Sequence, residues 1–176
     1  MTTKTILQIT ALSGYELEIG RALWCLEDVR RNLTKKLKGI SQSELDRKID
    51  SRQSIGSLLY HIAYVEAGWL FGEVMEKDAW DSEIEELFPL DGWPNGTLVH
   101  IDGDTIEIHL HRLNKVRETL LYHFRSLSLE DWRRARVFDE YDVTPEWVIY
   151  HLIEHEAHHR GQIFQLLREI RDLEDK

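Results

Sequence analysis

The chain is poor in cysteine, proline and methionine, with one, three and two of them among 176 residues, and its basic side chains number 22 against 32 acidic ones. Each shortage excludes something. A single thiol, Cys25, cannot close an internal disulfide, and its setting in a Leu- and Trp-rich stretch predicts core packing rather than redox chemistry. No apolar run reaches the roughly 18 residues that a membrane-spanning helix needs. Met1-Thr2-Thr3-Lys4 leads into a mixed stretch rather than an apolar signal core, so a cytoplasmic location is expected. A formal net charge of -10 repels phosphate backbones and anionic bilayers, so neither nucleic acid nor a membrane is an expected partner. The absence of a glycine-rich phosphate loop, a nucleophile elbow and a cysteine pair disfavours nucleotide-dependent and serine-hydrolase chemistry.

What is present is enough for one core. Hydrophobic residues make up 42% and charged residues 31%, proportions of a globular protein, and no Pro/Gly/Ser-rich stretch divides residues 1–176, so a single domain is expected. Apolar residues at helical spacing predict four long helices. The first spans about 13–37 on Ala22, Leu26, Val29, Leu33 and Leu37, with Gly39 as its stop. Ser41 and Glu44 form a capping-box pattern that opens a short turn of helix. The second long helix spans 54–77 on Ile55, Leu58, Ile62, Val65 and Trp69. Residues 78–103 break the pattern with Pro89, Gly92, Pro94, Gly96 and Gly103, leaving 98–101 briefly extended. A link of this length can run back along the second helix and cover a site. The third helix opens at Asp104 or Thr105, with Leu113, Val116, Leu120, Phe124 and Leu127 as its stripe; the fourth opens on Thr144-Pro145-Glu146 and runs to about residue 172.

Four of the nine histidines fall in that last helix: His151, His155, His158 and His159. At about 100° per residue, His155 and His159 point with the apolar face of Val148, Leu152, Ile163, Leu166 and Ile170, whereas His151 and His158 fall nearer its edge. Two buried imidazoles without partners are costly, and two charged ones repel. The spacing leaves two readings: a hydrogen-bonded core pair, or two ligands aimed at one ion from successive turns. On the second helix His61 sits near the edge of the apolar face, beside Gly68 and Gly72, whose small size lets a neighbouring helix approach, and it would be a third ligand. Three histidines leave a coordination position open, as catalytic zinc sites do. His100, His109, His111 and His123 read as surface or satisfied polar residues; Glu154 and Glu156 flank His155 as candidate bases.

Two segments resemble the DinB/YfiT-like proteins, helical bundles described as metal-dependent enzymes. One is Ser54-Ile-Gly-Ser-Leu-Leu-Tyr-His61, with its histidine after a Ser-Ile-Gly start; the other is His155-Glu-Ala-His-His159-Arg-Gly-Gln162-Ile163. The resemblance implies an all-α, up-down-down-up four-helix bundle with a long link between helices 2 and 3. It also implies His61, His155 and His159 as ligands of a divalent metal (zinc foremost, or nickel, iron or manganese) and frequent homodimers. The expected function is that of a thiol S-transferase or hydrolase acting on a small molecule such as bacillithiol or mycothiol. The alternatives are a non-catalytic metal-binding stress-response module, or a dimeric bundle whose histidines are only packed. Residues 78–103, with Trp80, Phe88 and Trp93, are less typical of the family.

Overall fold

The computed structural model describes residues 6–174, so the leading Met1–Lys4 segment and the last two residues lie outside it. Its long helices are α1 (Leu17–Lys36), α3 (Ile55–Gly68), α5 (Ile106–Phe124) and α7 (Pro145–Glu174); short helices α2 (Gln42–Asp46), α4 (Ser82–Glu85) and α6 (Leu129–Arg133) lie in the links. The fold is mostly helical, with one antiparallel pair of two-residue strands, β1 (Arg136–Val137) and β2 (Asp142–Val143), before α7.

Local chemistry sets most of the helix starts. Ser41 and Glu44 close a full capping box on α2. Ser54, Thr105 and Ser128 accept the backbone N–H three residues on, at the starts of α3, α5 and α6. The Thr144 hydroxyl accepts from the Trp147 N–H, with Pro145 as the first residue of α7. Helix α1 begins later than expected, because Gly14 sits at φ 86° and turns the chain just before it. The second long helix does not run to Lys77 as an α-helix: beyond Gly68 it widens into a π-helix, Trp69–Val74. Residues 98–101 belong to no strand; the Val99 N–H reaches the Gly92 carbonyl, and the Ile101 N–H is held by the Ser57 hydroxyl.

One apolar cluster, including Leu23, Leu26, Ile62, Leu113, Val116 and Ile163, joins the long helices. Residue pairs give the directions. Gly56 lies by His109 and Glu66 binds Arg117, so contacts advance together along α3 and α5. Tyr15, just before α1, reaches Leu121, and Arg30 within it reaches Leu113, so the contacts run in opposite order along the two segments. His61 meets His155, and Trp69 meets Trp147, again in opposite order along α3 and α7. At the centre lies a group of charges that the sequence does not announce: Arg30 binds Glu156 and Glu66, and Arg117 binds the same two carboxylates, all four side chains no more than 6% exposed. No helix among the described residues is long and apolar enough to cross a membrane. Cys25 is half-buried rather than within the core.

Candidate metal centre

His61 projects from the middle of α3, while His155 and His159 stand one turn apart on α7, and the packing of the two helices brings the three rings together. One nitrogen from each lies within 4.8 Å of the others, and the group could hold a divalent metal ion. His61 and His159 are buried and His155 is half-buried. Burial pushes the His61 imidazole down to about 4, with His159 adding to the effect. It pushes His155 down to about 3, with the neighbouring histidines, His159 first, contributing. His159 is lowered too, because burial outweighs its hydrogen bond to Gln162. The rings are therefore neutral near pH 7 and can offer lone pairs.

The proton positions make a metal-free cluster awkward. Gln162 Oε1 can only accept, so His159 Nδ1, 2.8 Å away, carries a proton and leaves Nε2 as a lone pair. His155 Nε2 lies 3.1 Å from both His61 Nε2 and His159 Nε2. Without a proton on His155 Nε2, its contact with His159 sets lone pair against lone pair; with one, that single proton is shared between the two contacts. A shared cation removes that conflict. Two nitrogens on one tetrahedral zinc stand roughly 3.3 Å apart, close to the 3.1 Å of the two contacts at His155, and the third pair lies within 4.8 Å, so the donor set could hold such an ion.

The other histidines part company here. His158 is exposed; the His151 ring lies 5.9 Å from that of His155 but stacks on Trp147 and leans on Trp69, outside the cluster. His100 and His111 are exposed as expected, whereas His109 is 1% exposed. Its Nε2 has no partner, and burial, aided by Arg112, pushes it down to about 4. Glu154 is exposed; Glu156 is turned to Arg30 and Arg117 and is unavailable as a base for the cluster. Gly68 and Gly72 admit no helix, since a Cβ at either would meet nothing within 4 Å.

Instead Gly68 helps to open a cavity of about 310 Å³ beside His61, walled by Tyr64, Trp69 and Trp93, with Glu73 on its rim. Glu73 accepts from the Tyr141 hydroxyl at 3.0 Å, and burial raises its pKa despite that bond. The sequence reading missed Glu73; the π-helix that presents it leaves no spacing signal, although such turns gather at functional sites. The long link covers this side, as expected. Tyr60 donates to the Leu90 carbonyl at 2.6 Å, Tyr64 donates to Asp91 at 3.2 Å, and the Trp93 ring lies 5.3 Å from that of His61. His159 and Gln162 border a second opening of about 370 Å³, whose one lining cation, Arg52, is already paired with Glu169.

Residues 26–163 match the family model of the DinB superfamily. No curated protein matches the chain.

Proposed function

The chain belongs to the DinB superfamily, and from that premise we propose that it is a metal-dependent enzyme whose ion is held by His61, His155 and His159. The observation that carries this reading is the convergence of three neutral ring nitrogens beside a cavity, with His155 Nε2 only 3.1 Å from a nitrogen of each of the other two. The reaction we propose is transfer to, or hydrolysis of, a small molecule, with a low-molecular-weight thiol as the foremost substrate class. A divalent ion, zinc foremost or else nickel, iron or manganese, would supply Lewis acidity there, lowering the pKa of a thiol or water at the open position.

The chain's own residues do the rest. Gln162 fixes the His159 tautomer, and the link from Leu90 to Trp93 shields the His61 face from bulk water. The frame we propose is a single up-down-down-up four-helix bundle over residues 1–176; the opposite order of contacts between α3 and α7, and the shared order between α3 and α5, support it. A cytoplasmic homodimer completes the proposal.

Metal analysis of untagged protein is the first test. Wild type should carry near-stoichiometric metal, and His155→Ala and His159→Ala should lose it; equal, trace metal in all three would sink the site. Thiol-conjugation and hydrolysis assays on metal-loaded protein then address turnover, which His61→Ala should abolish.

A further inference from the structure

The cavity beside His61 does not stand alone. A larger one, of about 420 Å³, is walled by Trp69, Tyr141 and Trp147, and Trp69 lines both. The Tyr141–Glu73 hydrogen bond ties a side chain lining one cavity to a side chain lining the other. The two form a groove leading away from the three-histidine cluster. Its walls are aromatic faces left open to solvent: Trp93 is 49%, Trp147 46% and Tyr141 44% exposed. Trp69 lies 5.4 Å from Trp147 and 6.4 Å from Tyr141, ring centre to ring centre, and His151 stacks on Trp147 at 5.1 Å, so Trp147 offers a ligand only its other face.

The charges along this groove have one sign. Glu73 borders the first cavity and Asp142 the second, and no lysine or arginine lines either. A phosphate or carboxylate entering here meets no basic group. A cation meets electron-rich ring faces, which attract it most when water is excluded, and two carboxylates besides. The protein's net charge of -10 adds a long-range field that draws cations in.

We propose that the Trp69 groove binds a cationic nitrogen, an ammonium or quaternary ammonium group, on the molecule whose reacting end meets the three-histidine cluster. The first half stands on the groove alone; the second rests on the metal-enzyme reading above. Trp69 and Trp147 supply ring faces, and Glu73, oriented by Tyr141, supplies the countercharge near the cluster.

The test uses the full chain, choline as the probe, and choline's neutral isostere, with carbon in place of nitrogen, as the control. Choline should quench tryptophan fluorescence saturably and shift the indole N–H signals of Trp69 and Trp147, and the isostere should bind roughly ten-fold more weakly. Trp147→Leu should weaken choline binding by about ten-fold and Glu73→Gln by about three-fold or more, with Trp147→Phe restoring most of the loss. Equal binding of choline and its isostere, or unchanged choline affinity in Trp147→Leu, overturns the proposal. Metal content measured on the same samples separates the two readings. Discrimination for choline in protein that retains no metal keeps the subsite and removes the metal reading; retained metal without discrimination does the reverse.

Discussion

Gln162 lies almost one turn beyond His159, and its Oε1 decides which His159 nitrogen faces the cluster. Groups that orient metal-bound histidines typically change metal affinity by about 10- to 100-fold when removed. Gln162→Leu should therefore weaken metal binding by at least about ten-fold while leaving the fold intact, because the side chain is exposed. Gln162→Glu, which keeps the acceptor, should bind near wild-type levels; competition with a chelator measures both, and equal affinities in wild type and Gln162→Leu would refute this role. His155 and His159 are legible in sequence because helical periodicity places them with the apolar face, whereas His61, near the edge of its own face, is singled out by the resemblance of the Ser54-Ile-Gly segment. His109 is legible in neither way. Its burial comes from Gly56 across the α3–α5 contact, where a Cβ would stand 3.1 Å from His109 Nε2, and no pattern along either helix reports what faces a missing side chain.

At the scale of elements, the caps were readable because a hydroxyl and an N–H three residues on are local: Ser41, Thr105 and Thr144 all sit where the pattern puts them. The π-helix and the β1–β2 pair were not, because a register change in α3 and a two-residue ladder depend on what packs against them. Link 78–103 shows the same division. Its turns are legible from Pro and Gly; its seat on α3 depends on Gly92, where a Cβ would fall 2.5 Å from Cγ of Tyr64. That atom is the root of the ring and cannot swing aside cheaply. Gly92→Ala should lift the link and cost about 1–3 kcal/mol, or roughly 3 to 9 °C in Tm for a chain of this size. Protease cleavage should rise within the link. Gly72→Ala, with open space around it, is the control and should lose nothing; if the two variants melt alike, the link is not seated on Tyr64 in this way.

Across the whole molecule, the least legible feature is the one that ties all four long helices together. Arg30, Glu66, Arg117 and Glu156 each look like ordinary helix-surface charges in sequence, and Glu156 beside His155 invites a catalytic reading. Only their positions in space reveal a buried set of two guanidinium and two carboxylate groups, with contacts from 2.6 to 3.1 Å and Glu27 joining it at Arg117 from the edge. Removing one member strands a buried charge, so Glu156→Ala should cost about 3–5 kcal/mol in denaturant unfolding; a cost below about 1 kcal/mol would mean the set is not buried in solution. The same set gives stability a pH dependence. Burial alone would push the Glu66 carboxyl up, but Arg117 and Arg30 outweigh it and hold it below its ordinary 4.5. The folded state therefore keeps Glu66 ionised where the unfolded chain takes up a proton, and this stabilisation, complete above 4.5, is lost as pH falls through the lower folded value. His109 acts earlier with the same sign: held neutral down to about 4 when folded but protonating near 6.5 when unfolded, it removes stability as pH falls between those values. In metal-free protein His61 and His155 add to that loss. Unfolding free energy should therefore be level above about 7, decline from about 6.5 toward 4, and fall further below 4.5. His109→Gln should make the first decline shallower and leave the second in place. Stability that rises on acidification between 6.5 and 4 would contradict the neutral, buried state assigned to His109.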